Sequence, residues 1–263
     1  MHRKLHCLVA CECSQRVCKA LRALGHDAYS CDIQPCYAPT PTELAQPEWH
    51  LQGDCLTYLD GHNGRPWDLL IAHPPCTYTS TIGNRYLYHP DDKGLAPALK
   101  RPHPAHPHRR AKQAAGVAFA KALYDCDIPH VCIEHPKSVL STQWQHPDQW
   151  VQPHWFGHNW RKQTGLWLKN LPLLKPTDVV QPETYKDKKG RPQNVWQKKT
   201  SGLSPSQSKR KRSETSIGVA DAMATQFTEY ILGTSAISSK PGSPEVSYED
   251  GGRTIIIKIN IRA

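Results

Sequence analysis

The stretch Asp68-Leu69-Leu70-Ile71-Ala72-His73-Pro74-Pro75-Cys76-Thr77-Tyr78-Thr79-Ser80 decides how the rest of the chain is read. Its first half is an apolar run with the length and composition of a buried strand, and two prolines end it abruptly. Proline fixes its own φ and biases the residue before it toward extended backbone, so His73 to Cys76 forms a short preset loop. Cys76 then sits just past a strand end. In an open α/β sheet the carboxyl ends of the strands face the ligand crevice, which puts this thiol where a substrate would lie. A cysteine after a strand is more often a small core residue. The functional reading turns on strand, proline pair and thiol occurring together, and on a matching acid later in the chain.

Toward the N-terminus, Leu5 to Ala10 reads as a strand and Ser14 to Leu24 as a helix, with Val17, Ala20, Leu21 and Leu24 on one face and Gly25 as its stop. Asp27 to Cys31 is a second strand, ending at Asp32. In such a βαβ unit the first loop lies at a helix N-terminus, and an acid ending the second strand can accept ribose hydroxyls. The loop Cys11-Glu12-Cys13-Ser14 contains no glycine, and neither a dinucleotide fingerprint nor a P-loop is present, which disfavours a diphosphate cofactor. After a proline-rich connection, His50 to Asp54 and Trp67 to Ala72 give the third and fourth strands.

Toward the C-terminus, residues 89–108 are rich in Pro and His and read as an inserted loop, a candidate lid or nucleic-acid arm. Arg109 to Tyr124 reads as a helix with Ala115, Ala118, Phe119, Ala122 and Leu123 at core spacing. His130 to Ile133 follows as a strand running into Glu134-His135-Pro136, repeating the order of strand, functional side chain and proline. Gly165 to Lys169 reads as a further strand. Ser216 to Leu232 is a helix with Ala220, Met223, Ala224, Phe227 and Ile231 on one face. After a Ser/Gly/Pro linker, Glu245 to Ile261 suggests a hairpin around Asp250-Gly251-Gly252, with Ile255, Ile257, Ile259 and Ile261 alternating with polar positions.

The 263 residues can hold one large α/β domain with appendages. Net charge is +10, and Gln181 to Arg212 carries ten Lys or Arg against two acids, which favours a polyanion such as nucleic acid as partner. No apolar stretch approaches a membrane span, and the first ten residues lack a signal-peptide layout. The expectation is a cytoplasmic protein whose ten cysteines are reduced thiols. Cys7, Cys11, Cys13 and Cys18 lie close together without the two-residue gap of a zinc knuckle, and prolines interrupt His103, His106 and His108, so no metal is expected.

The Pro-Pro-Cys stretch with the later Glu134 resembles the DNA cytosine-5 methyltransferases, in a compact phage-type form of the restriction-modification kind, with motifs in the family's order across residues 5–232. The resemblance implies a Rossmann-like S-adenosylmethionine-dependent methyltransferase fold: an open, mostly parallel sheet with flanking helices. It implies a catalytic core over 1–171, a small basic loop region over 172–212 in place of a full target-recognition domain, a C-terminal core helix over 213–233, and a tail over 234–263. The basic region is expected to be extended loops on phosphate, with Trp196 able to stack on a base. S-adenosyl-L-methionine is the implied cofactor, contacted by Ala10, Cys11, Glu12, Cys13, Ser14, Asp32, Ile33, Asp54 and Pro74. Glu12 would pair with its ammonium and Asp54 with the adenine amino group.

By the same resemblance Cys76 is the nucleophile, Glu134 holds the cytosine edge, and Lys162 matches the first of two substrate-contacting arginines. Thr164 stands where the second is expected, Trp160 replaces a Gln, and His135 replaces the Asn that follows the family's Glu. The partner is DNA, with no membrane and a monomer favoured. Three alternatives stay open: an exocyclic-amino methyltransferase, a methyltransferase acting on a free nucleotide, and a non-enzymatic DNA-binding protein that keeps the fold. Amino-methyltransferases carry an aromatic residue directly after the Pro-Pro pair. Cys76 stands there, and Tyr78 comes two residues too late.

Overall fold

The computed structural model describes residues 3–40, 42–233, 245–249 and 254–258. Five runs form parallel strands, β1 (His6–Ala10), β2 (Asp27–Asp32), β3 (His50–Gln52), β4 (Leu69–Ala72) and β5 (His130–Pro136). Two more, β6 (Gln149–Val151) and β7 (Thr164–Lys169), complete a seven-stranded sheet of order β3-β2-β1-β4-β5-β7-β6. Only β7 runs against its neighbours, wedged between β5 and β6. The chain is an α/β protein with a mostly parallel sheet, compatible with a Rossmann-like fold. Strand order reverses between β1 and β4, and that switch point opens a crevice at the carboxyl edge.

β1 and β4 are buried along their whole length because helices cover both faces of the sheet. Cys7, Val9, Leu69 and Ile71 point to the side of α1 (Arg16–Ala23) and the C-terminal helix. Leu8, Ala10, Leu70 and Ala72 point to the side of α2 (Arg109–Asp125). A short α3 (Leu140–Gln143) follows β5. The period-two alternation of apolar residues thus feeds two cores at once.

Three helix readings change. The first helix begins at Arg16, since Gln15 takes a left-handed φ of 57°, and Leu24 is exposed while Cys18 is buried. In α2 the buried residues are Gln113, Val117, Ala120 and Leu123, whereas Ala115, Ala118 and Ala122 face outward. Alanine is too small to mark a face, so the larger Val117 and Leu123 set the phase. Only from Thr184 onward is the basic region not extended loop. It folds as a hairpin of β8 (Thr184–Lys186) and β9 (Pro192–Asn194) followed by α4 (Val195–Ser201) and α5 (Pro205–Ser213).

The start of α5 has a local cause: Ser204 and Gln207 form a reciprocal capping box with Pro205 in the first turn. From Thr184 to Ser213 only Thr200 is buried, so the region has secondary structure without a core. α6 (Ile217–Ile231) packs beside α1 and buries Ala220, Met223, Ala224 and Phe227 as expected. β10 (Glu245–Glu249) pairs antiparallel with β11 (Thr254–Lys258), giving the two arms of the expected hairpin. Its turn, the preceding linker, and Ile259 and Ile261 lie outside the described residues. Among the described residues no helix is long and apolar enough to cross a membrane.

Candidate active site

Register builds the site. Ala10 pairs with Cys31 and with Ala72, and Ala72 pairs with Ile133. The next residues, Asp32, Cys11, His73 and Glu134, therefore form one row across the carboxyl edge, and Pro74 to Cys76 continues from it. His73 N–H donates to Ala10 O at 3.0 Å, and Pro74 is buried. Cys76 O accepts from Ser80 N–H at 2.9 Å, closing a helical turn that fixes the thiol's loop.

His135 anchors that turn from below. Its Nδ1 donates to Pro136 O at 3.0 Å, so Nε2 accepts from Thr79 Oγ1 at 3.0 Å. Burial lowers its pKa, keeping the ring neutral as this bonding needs. His135 thus gives β5 a strut to the Cys76 loop.

Glu134 is buried, and its Oε2 lies 2.7 Å from His73 Nδ1. Burial is the strongest single influence on both groups and favours their neutral forms. The shared hydrogen bond and the mutual attraction outweigh it, so Glu134 is shifted down and His73 up, as an ion pair. Lys162, from the segment entering β7, adds to the fall of Glu134 and donates to Glu214 O at 3.1 Å. Burial pushes the Cys76 thiol up, Lys162 opposes this, and Glu134 adds to the rise. Glu134, Lys162, Thr164 and Thr215 line one narrow cleft. Burial thus favours the Cys76 thiol over its thiolate, with the charge of Lys162 acting the other way.

Glu214 ties the surroundings together and was not singled out from the sequence. It is buried, takes Lys211 at 3.1 Å and Arg16 at 3.7 Å, and accepts from Tyr37 Oη at 3.4 Å. Nor was His73, whose place three residues before Cys76 at a strand end is the signal that could have found it.

The cofactor-side residues fall into two groups. Ala10, Cys11, Asp32, Ile33 and Asp54 all lie at the carboxyl ends of β1, β2 and β3. Ile33 is 72% exposed, an apolar surface beside Asp32, whose Oδ1 accepts from Gln34 N–H at 2.9 Å. Asp54 follows β3 and accepts from Leu56 N–H at 3.0 Å. Ile33 and the acids that end β2 and follow β3 are the residues at this edge that could hold a cofactor. Glu12 departs from expectation: its two oxygens accept from Val17 N–H at 2.7 Å and Cys18 N–H at 3.2 Å, capping α1. Burial raises its pKa, against His73 and those amides. Cys13 is half-buried in the same loop, and Ser14 is buried.

Without glycine, the loop is shaped by side chains. Cys11 takes φ 60°, where a side chain is disfavoured, and its Sγ lies 3.5 Å from Cys55 Sγ. Gln15 Nε2 reaches Ser30 Oγ at 3.2 Å and Gln46 O at 2.8 Å.

The basic region meets the site through Lys211, which contacts Glu214 at 3.1 Å, and Lys209, whose charge acts on Cys76. Trp196 stacks on Trp160, with centroids 6.1 Å apart and planes at 12°, so its neighbour is an indole of this chain. The loop 89–108 is ordered by Arg101, whose guanidinium makes a bidentate contact to buried Asp92, NH2 to Oδ1 at 2.6 Å and Nε to Oδ2 at 3.1 Å. Among the described residues no cluster of three His, Cys, Asp or Glu could hold a metal ion. No protein-family model matches the chain, and no curated protein matches its sequence.

Proposed function

We propose that this chain is a methyltransferase that modifies carbon 5 of cytosine in DNA through a covalent bond to Cys76. The observation that carries the reading is the row at the carboxyl edge: Cys76 just past β4 and Glu134 in β5, with Lys162 acting on both. Carbon 5 of cytosine becomes nucleophilic only after something adds to carbon 6, and a thiolate is suited to that addition. Lys162 favours the thiolate as substrate enters. Glu134, held in its ionised form, accepts from the exocyclic amino group and fixes the base at its Watson–Crick edge.

S-adenosylmethionine, held by Asp32, Ile33 and Asp54, would supply an electrophilic methyl group on a sulfonium. A base inside a duplex must be flipped to reach Cys76, at a cost of a few kcal/mol that phosphate contacts offset. The exposed cations of β8 to α5 suit those contacts. A cytoplasmic setting fits ten free thiols.

A second reading has one observation in its favour. Because the Glu12 carboxylate caps α1, the ammonium of the cofactor has no acid there, which favours a chain that binds DNA without methylating it.

The test is incubation with S-adenosylmethionine and a mixed-sequence duplex containing 5-fluorocytosine. Fluorine cannot leave as a proton does, so the covalent intermediate accumulates and survives a denaturing gel. Wild type is expected to give the adduct and Cys76→Ser none. Absence of any wild-type adduct, with DNA retained, would support the binding reading.

A further inference from the structure

One buried titratable group is left over by that chemistry. His73 directly follows β4, and its side chain is 8% exposed. Nδ1 contacts Glu134 Oε2 at 2.7 Å and Thr215 Oγ1 at 3.5 Å, while Nε2 is buried with no hydrogen-bond partner. The charged groups acting on it are Glu134 from β5, Glu12 from the loop after β1, and Lys162 from the segment entering β7. Two carboxylates against one ammonium favour the imidazolium, whose Nδ1 proton points at Glu134.

We infer that His73 is a positioning residue that acts through Glu134, storing the proton that cytosine N3 takes up when Cys76 adds to the ring. The inference rests on the cytosine reading above. Once the Cys76 thiol has given its proton to solvent, its thiolate Sγ bonds carbon 6, the C5=C6 electron pair forms a C4=C5 double bond and the C4=N3 pair moves onto N3. Glu134 takes the Nδ1 proton at Oε2 and, by turning its carboxyl about the terminal bond, delivers it to N3, leaving neutral imidazole. Elimination of Cys76 reverses each transfer, so no proton is consumed. Thr215 and the strand backbone hold the ring in line throughout.

The step can be read without a methyl donor, because addition at carbon 6 lets the carbon 5 hydrogen exchange with water. Tritium release from mixed-sequence duplex DNA labelled at carbon 5 of cytosine would be followed against pH for wild type and His73→Gln. Wild-type exchange should fall as pH rises through the His73 pKa, above the ordinary value of about 6.5. The variant should lose about 100-fold at neutral pH and lose that descending limb. Nitrogen-15 NMR of the wild-type protein supplies a second reading that does not depend on the variant folding. His73 should titrate above its ordinary value, and Glu134→Gln should bring it down. A variant profile parallel to wild type, or a His73 that titrates at or below its ordinary value, overturns the relay while leaving the cytosine reading intact. No exchange by wild type on any DNA overturns both.

Discussion

The carboxyl edge of the sheet and the basic region over 172–212 divide the molecule's chemistry in opposite ways. At the edge, charge is buried, paired and placed by strand register, as in His73 with Glu134. In the basic region charge is exposed, and of Thr184 to Ser213 only Thr200 is buried. The first arrangement gives position, which bond making at one atom needs. The second gives a field, which follows a phosphate backbone regardless of sequence.

The comparison breaks first at the His73–Glu134 pair. His73→Gln leaves a buried carboxylate without its partner and should cost about 3–5 kcal/mol in chemical denaturation, with the double variant His73→Gln, Glu134→Gln recovering part of it. A single variant within about 0.5 kcal/mol of wild type would mean that the edge is no more sensitive than the surface.

The pair's pH dependence has a definite sign. A raised His73 pKa adds stability below its unfolded value of about 6.5, and that stability is lost as pH rises through the folded value. A lowered Glu134 pKa adds stability above about 4.3, lost as pH falls through the folded value. The pair thus contributes most between those two unfolded values, and wild type should lose more stability than the double variant on raising pH above about 6.5.

A smaller effect is expected at Gly218, in the first turn of α6. A Cβ there would lie 1.9 Å from Phe156 O, a backbone atom that cannot swing away. Gly218→Ala should destabilise by about 1–3 kcal/mol through forced displacement of α6 or the Phe156 loop, measurable by thermal melting. The smallest change in stability belongs to the basic region. Replacing Lys188, Lys189 and Lys209 together by Gln should leave unfolding within about 0.5 kcal/mol and reduce the slope of log affinity for duplex DNA against log salt by up to about 3. A large loss of stability there would erase the contrast between the two regions.

The same contrast governs what the sequence reveals. Strands at the edge are legible because apolar runs ended by Asp32, Pro74 or Pro136 carry both their length and their stop. Registering Ala10, Ala72 and Ile133 in one line makes the site residues neighbours, and each reading of a strand end pointed to one of them. His73 escaped because its importance lies in a contact across the sheet, with Glu134, that no local pattern encodes.

β6 escaped for another reason: Gln149 is buried and pairs with Leu174 backbone, its Oε1 accepting from Leu174 N–H and its Nε2 donating to Leu174 O, both at 2.8 Å. A polar residue in a core strand defeats hydropathy. α4 and α5 escaped because nearly every residue is polar, so no apolar face advertises a helix; the start signals were Asn194 as the cap of α4 and Ser204-Pro205-Ser206-Gln207 for α5. The phase of α2 was misread where alanines outnumber the larger side chains that fix it.

The packing of α6 beside α1 has a consequence in time. On a ribosome, β1 and α1 emerge well before α6, so the part of the apolar face of α1 that meets α6 is covered only when Ile217–Ile231 has been made, and Glu214, which holds Lys162 and Arg16, arrives just before it. At about 5–20 residues per second that interval is roughly 10 to 40 s. Through it the nascent chain carries an unclosed hydrophobic surface on α1 and an incomplete crevice, and chaperones have a long opportunity at that helix.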